Sequence, residues 1–241
     1  MKLFIIIPAA GLGTRMRAHV SASQPSKQFL EIGGAPILVH TLRRFAALPQ
    51  VTQIVLALRE NELTGFGPEI ARQVPGDKIA LVKGGETRQQ SVANALRSLN
   101  AAADDVVLVH DAVRPFIEAA VVEKVVAAIV KYGAAIVGVG ATDTIKQVER
   151  YPDGAIIRAT IPREQIVQAQ TPQGARFPLL KQAFDAAEAE EFTGTDEASL
   201  LEHIGQEVHV VTGSPRNIKI TTPADLELAG FYLEQMARER K

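Results

Sequence analysis

The chain has 241 residues, 46% of them hydrophobic, with 26 Lys plus Arg against 27 Asp plus Glu. That is enough apolar content for a full α/β core, and the balanced charge supplies neither the basic field that draws nucleic acid nor an acidic solvating tail. The absence of cysteine excludes disulfides, thiolate catalysis and cysteine-ligated metals, and fits a reducing cytoplasm.

The first element is the run Leu3-Phe4-Ile5-Ile6-Ile7, which reads as a strand covered on both faces because it has no polar alternate position. It empties into Pro8-Ala9-Ala10-Gly11-Leu12-Gly13-Thr14-Arg15, where small residues would let backbone N–H groups approach an anion and Arg15 adds a cation. Taken alone, Gly11 and Gly13 are better read as a plain turn, because short glycine motifs match by chance. A P-loop is excluded, as is the dinucleotide fingerprint, because Met16 stands where each needs its further glycine. The run is too short, and too broken by Pro8, for a secretory leader, and no apolar stretch nears 18 residues, so no membrane span is expected.

Residues 17–27 are polar and irregular and end on Lys27. Pro36 at a first helical position predicts a helix to Phe45, stopped by Pro49, and Gln53–Leu58 a second strand. A polar helical stretch interrupted at Gly67-Pro68 leads to a third strand, Lys78–Val82, then the turn Gly84-Gly85-Glu86-Thr87-Arg88 and a helix from Ser91 to Leu99. Val106–Asp111 predicts a fourth strand, Val121–Tyr132 a helix and Ala134–Val139 a fifth strand. Strand and helix alternating over short links indicate parallel βαβ units, a Rossmann-like, mostly parallel sheet with helices on both faces and ligands at the carboxyl ends of the strands.

The pattern then changes. Thr144–Glu149 and Ala155–Ile161 alternate around Pro152-Asp153-Gly154, predicting a protruding β-hairpin arm at about 142–168 within a single domain spanning 1–241. An isolated hairpin is marginal in water, so the arm needs a surface to pack on, either a second copy or its own sheet. Helices are expected over Pro178–Glu190, from Thr195 as N-cap, and after Thr222-Pro223-Ala224-Asp225, with a short strand at Glu207–Val211.

No Gly-x-Ser-x-Gly elbow and no metal-spaced histidine pair occur, so nucleophilic catalysis by the protein is not indicated. Instead Arg15, Lys27, Arg88, Asp111, Arg114 and Lys219 all fall at predicted strand ends or in flanking loops. Several cations, glycine-rich backbone and one acid suit a polyphosphate, whose transfer needs alignment and charge stabilisation more than covalent help.

Pro8–Met16, Lys27-Gln28, Gly84–Arg88 with Ser91, His110–Pro115, Thr171-Pro172-Gln173, Thr195–Ala198 and Asn217-Ile218-Lys219 occur together and in order. Across nearly its whole length the chain resembles the 2-C-methyl-D-erythritol 4-phosphate cytidylyltransferases of the non-mevalonate isoprenoid pathway. The resemblance implies a CTP-dependent transfer with Mg²⁺ as cofactor, CTP and a sugar-alcohol phosphate as partners, a cytoplasmic homodimer joined through the β-arm, and no nucleic acid or membrane. By motif it assigns Arg15, Lys27 and Lys219 to transition-state stabilisation and Asp111 to the metal. Ala9, Ala10, Gly11, Gly13, Gly85, Glu86, Arg88, Ser91 and Ala112 would bind the nucleotide, and Arg114, Thr144, Arg163, Thr171 and Thr195 the acceptor. Another alditol phosphate, such as ribitol 5-phosphate, is the competing acceptor. A glycosyltransferase is disfavoured because His110-Asp111-Ala112 forms no Asp-x-Asp motif.

Overall fold

The computed structural model describes residues 1–11, 26–74 and 77–239, with only the backbone given for residue 71. Gly13 and Arg15, both named above, lie outside the described residues.

Strand β1 (Leu3–Pro8) sits inside a seven-stranded sheet. Its alternate side chains supply both layers of the core. Leu3, Ile5 and Ile7 join one buried cluster, Phe4 and Ile6 the other. Ile5, Ile6 and Ile7 are fully buried, and each such side chain contributes about 2 kcal/mol by leaving water. The run has no polar position because neither face of the strand meets solvent.

β2 (Glu31–Ile32) and β3 (Ala35–Pro36) form a small hairpin leading into α1 (Ile37–Ala46). Pro36 therefore pairs with Glu31 and caps the helix rather than opening it. β4 (Val51–Leu58) lies parallel to β1 and is followed by α2 (Glu60–Gly65) and α3 (Gly67–Gln73), broken at Phe66 next to the predicted interruption. β5 (Ile79–Lys83) is the edge strand beyond β4, and α4 (Arg88–Arg97) packs back across the sheet. β6 (Val106–Val109) flanks β1 on its other side. α5 (Ala119–Tyr132) and β7 (Ala134–Gly140) complete the expected series.

β8 (Ile145–Tyr151) and β9 (Gly154–Ile161) pair only with each other, from Ile145↔Ile161 to Tyr151↔Gly154, as a separate two-stranded sheet. Val148, Tyr151, Ile156 and Ile157 stand exposed on this arm.

The sequence reading missed β10 (Val167–Arg176), which sits between β7 and β6 and runs antiparallel to both. Its polar sequence, with Pro172 inside it, argued against a central strand. The ladder shifts between Gln170 and Gln173, and the Thr171–Pro172 bond is cis. Beyond it come α6 (Phe177–Ala189), α7 (Glu197–His203), the edge strand β11 (His209–Thr212) parallel to β7, and α8 (Pro223–Glu239). The cap of α7 is Asp196, whose carboxylate accepts the Ser199 N–H at 3.0 Å, and not Thr195 as the sequence suggested. The Thr222–Asp225 cap of α8 forms as expected, with Asp225 accepting both the Thr221 and Thr222 N–H groups at 2.8 Å.

Close packing of β10 against β6 requires glycine at position 174. A Cβ there would lie 2.1 Å from the Val107 carbonyl oxygen and 3.0 Å from Leu108 Cα, backbone atoms that cannot yield without disturbing the ladder. Gly174→Ala is therefore expected to lower unfolding free energy by about 3 kcal/mol in urea titration; a variant as stable as the parent would contradict the strand placement.

Candidate active site

One cleft at the carboxyl edge of the sheet is lined by Ala9, Ala10 and Gly11 after β1, Lys27 and Gln28, Arg88 and Ser91 of α4, Asp111, Ala112 and Val113 after β6, and Lys219. Five separate stretches of chain converge there, those at Ala9–Gly11 and Asp111–Val113 following the adjacent parallel strands β1 and β6 at their carboxyl ends. Tight contacts hold them there. A Cβ on Gly84 would lie 2.5 Å from Ala10 Cβ, so the loop after β5 can touch the loop after β1 only through a glycine. Ser91 Oγ accepts the Gly85 N–H at 3.1 Å and donates to the Thr87 carbonyl at 2.8 Å. Thr87 caps α4 by accepting the Gln90 N–H, while the Gln90 side chain accepts the N–H groups of Glu86 and Thr87. The fully buried Thr41 donates to the Ala112 carbonyl at 2.9 Å, and Ile220 N–H donates to the Val113 carbonyl, bringing the Lys219 segment alongside.

Asp111 is the electrostatic centre. Its carboxylate is 7% exposed and faces Lys219 Nζ at 2.8 Å, Arg88 Nε at 3.3 Å and Arg114 Nε at 3.4 Å. Burial alone would raise its pKa, but the charges of Arg88 and Lys219, with the Lys219 hydrogen bond, hold the carboxyl well below the ordinary range. Arg88 is gripped from its far side by Glu197, itself 1% exposed, through Nη1 at 2.7 Å and Nη2 at 2.9 Å. Burial works against the guanidinium charge, and Glu197 and Asp111 overcome it, so the arginine is held protonated more firmly than usual. Because all three of its nitrogens are engaged by protein carboxylates, Arg88 serves in this geometry to fix Asp111.

A neutral imidazole lies behind the carboxylate. The backbone N–H of Asp111 donates to Thr171 Oγ1 at 3.0 Å, and that hydroxyl lies 3.1 Å from His110 Nδ1. His110 Nε2 is 3.0 Å from the Arg114 carbonyl, which can only accept, so the ring carries its proton on Nε2 and Nδ1 receives the threonine hydroxyl. Burial pushes the His110 pKa down to about 4, against the opposing effect of the Arg114 carbonyl.

Thr171 is thus buried among protein partners, and Arg114, also buried, donates from Nη1 to the Asn217 carbonyl at 2.7 Å. Gly85 and Glu86 lie in the turn beside the cleft, with the Glu86 side chain exposed. Thr195, Thr144 and Arg163 are exposed and outside the cleft lining, Arg163 donating to the Thr142 carbonyl at 2.9 Å at the base of the arm.

Several residues beneath the site received no role in the sequence reading, although most lie inside quoted motifs. The Asn217 amide donates to Gln170 Oε1 at 3.1 Å and to the Thr171 carbonyl at 2.8 Å. The Gln173 amide donates to Asp196 and its oxygen accepts the Ala198 N–H, both at 3.0 Å, docking β10 on the first turn of α7 and so presenting Glu197 to Arg88. The available signal was polar residues retained in a central strand, since burying them without partners is costly.

A family model described as 2-C-methyl-D-erythritol 4-phosphate cytidylyltransferase matches residues 3–235. A protein of that description from Acidobacterium capsulatum is 58% identical over 235 residues, covering 98% of each chain. One from Solibacter usitatus is 48% identical over 239 residues, again covering 98% of each. The solved structure of the Francisella tularensis 2-C-methyl-D-erythritol 4-phosphate cytidylyltransferase superimposes with a TM-score of 0.79 at 35% identity, covering 96% of this chain and 99% of that one.

The buried His110 makes stability pH-dependent. Above about pH 6.5 its ring is neutral folded and unfolded and contributes nothing; between 6.5 and about 4 the unfolded chain takes up a proton that the folded chain excludes. Stability should therefore fall on acidification across this window by on the order of 3 kcal/mol. Asp111, whose pKa is depressed from 3.8, loses its contribution only at lower pH. Denaturant titrations at stepped pH should show a shallower decline for His110→Gln than for the parent; parallel profiles would contradict a neutral buried imidazole.

Proposed function

The chain belongs to the 2-C-methyl-D-erythritol 4-phosphate cytidylyltransferase family, and on that premise we propose how its cleft carries the reaction. The reaction transfers CMP from CTP to 2-C-methyl-D-erythritol 4-phosphate, giving 4-diphosphocytidyl-2-C-methyl-D-erythritol and pyrophosphate. An acceptor phosphate oxygen attacks the α-phosphorus, a new P–O bond forms, and the bond to the bridging β-oxygen breaks as pyrophosphate leaves. The protein's task is to hold attacking and leaving oxygens in line and to balance the negative charge they share.

The observation that carries this reading is the gathering of Ala9–Gly11, Lys27, Ser91, Asp111 and Lys219 around one cleft. Gly11 adds to it. Its φ is not left-handed, and a Cβ there would meet no described atom within 4 Å, so packing within the described residues gives no reason for glycine; close approach of a triphosphate does. Lys27 and Lys219 neutralise the transferring phosphoryl group, with Arg15 as a third cation by motif. The turn at Gly85 and Glu86, with Ser91 of α4, receives the cytosine, and Ala112 the ribose. Arg88 acts through Asp111. By motif Arg114, Thr171 and Thr195 take the acceptor phosphate, and Thr171 holds Arg114 in place through Asn217.

Asp111 is the group that would hold Mg²⁺. No cluster of three potential metal-ligating side chains occurs among the described residues, and one ionised carboxylate suits an ion that keeps most of its waters and takes its other ligands from substrate phosphates. When bound, Mg²⁺ would supply positive charge to the triphosphate oxygens. The ring of cations already around Asp111 favours an ion that arrives with the nucleotide.

The whole chain is read as one catalytic unit that works as a homodimer. The exposed apolar residues of the arm, including Ile157 at 59% exposure, support a second copy as its packing surface, which would carry Thr144 and Arg163 to the neighbouring cleft. A cytoplasmic location accords with the absence of cysteine.

Pyrophosphate release from CTP tests the site. Lys27→Ala and Lys219→Ala should each lower kcat by roughly 10²–10³-fold while shifting the KM for CTP by less than about fivefold, as loss of charge stabilisation in the transition state requires; undiminished turnover would refute the assignment. The arm is tested separately by sedimentation velocity. Ile156→Glu combined with Ile157→Glu should convert a dimer to a monomer with little activity, and an active monomer from either protein would remove the arm from catalysis.

A further inference from the structure

The loop after β1 is held from behind. The Ala10 carbonyl accepts a 2.7 Å hydrogen bond from Arg59 Nε, and Arg59 lies between β4 and α2, outside the cleft lining. In a planar trans peptide the carbonyl and the following N–H point in opposite directions, so pinning the Ala10 oxygen toward Arg59 turns the Gly11 N–H away from it. Arg59 is a costly residue for that place. Its Nη2 is buried with no hydrogen-bond partner among the described residues, a condition that a shorter or apolar side chain would avoid. Among the described residues, its one side-chain hydrogen bond is to the nucleotide loop.

The same turn also holds the segment carrying Lys27. Glu62, buried at 5% exposure, accepts the Arg59 backbone N–H on Oε2 at 3.3 Å and the Ser26 hydroxyl on Oε1 at 3.1 Å. Ser26 directly precedes Lys27. Two adjoining anchors thus fix Ala10 and Lys27 relative to each other, although about 17 positions of sequence separate them.

We infer that Arg59 and Glu62 are positioning residues for cytidylyl transfer: Arg59 sets the Gly11 N–H for the triphosphate, and Glu62, through Ser26, sets Lys27 against it. The inference rests on the reading of Ala10–Gly11 as the nucleotide loop. A slack in either anchor misplaces a group whose contribution depends on alignment.

Steady-state kinetics with each substrate varied, together with thermal melting, tests it. Arg59→Met should raise the KM for CTP by about tenfold with the KM for the sugar phosphate changed less than about twofold, and Arg59→Lys, which restores a donor for the Ala10 carbonyl, should recover most of the loss. Ser26→Ala should lower kcat by about threefold to tenfold with the KM for CTP nearly constant. A folded Arg59→Met with the parental KM for CTP, or with both KM values raised alike, overturns the role of Arg59. Should Arg59→Met fail to fold, Arg59→Lys and Ser26→Ala decide: a lysine variant tenfold weaker for CTP, or a serine variant with parental kcat, counts against the inference. Gly11→Val is measured alongside. If it binds CTP normally, the nucleotide-loop reading itself fails; if it loses CTP while folded Arg59→Met does not, only the brace fails.

Discussion

Three cations and one buried carboxylate determine how this site is built. Asp111 lies within 2.8–3.4 Å of Lys219, Arg88 and Arg114, and each cation arrives on a different stretch of chain. A buried carboxylate is costly unless paired, and three adjacent cations repel one another unless an anion lies between them. Each requirement answers the other. The arrangement leaves more positive than negative charge at the carboxyl edge of the sheet, which suits a triphosphate and a second phosphate brought together.

That ion cluster depends in turn on β10. Its Gln173 docks the first turn of α7, which presents Glu197 to Arg88; its Thr171 hydroxyl accepts the Asp111 N–H and donates to His110 Nδ1; and the Gln170 side chain and Thr171 carbonyl receive Asn217, whose own carbonyl holds Arg114. A strand of this polarity would be unfavourable in a central position if its role were only to fill space. Here nearly every buried polar side chain supports a cleft residue, so the same groups that make the strand look like a loop make the site rigid.

This is also why β1 and its neighbours were legible in sequence and β10 was not. Phe4–Ile7 and Val106–Val109 advertise burial through hydrophobicity, a property of each residue alone. Gln170, Thr171 and Gln173 are stable only through partners far away in sequence, and no local pattern reports those partners. Helix caps divide in the same way. Thr222 and Asp225 satisfy their own turn locally and were read correctly, whereas Asp196 displaces Thr195 because its carboxylate accepts both the Ser199 N–H and the Gln173 amide. The cleft cations Lys27, Arg88 and Lys219 could be foreseen from their positions at strand ends and in flanking loops. Glu197, which grips Arg88, Asn217, whose carbonyl accepts from Arg114, and Glu62, which accepts the hydroxyl of Ser26 next to Lys27, could not, since an isolated polar residue carries no mark of what it will touch.

The central claim is that the ring of charge around Asp111 and the loop at Ala10–Gly11 together receive the triphosphate of CTP. A crystal structure of the complex with CTP and Mg²⁺ tests it most directly. The α-phosphate should lie within hydrogen-bonding distance of Lys27 or Lys219, with a backbone N–H of the Ala10–Gly11 loop on a neighbouring phosphate. A triphosphate bound elsewhere on the sheet edge, with Asp111 and Lys219 facing only each other, would contradict it.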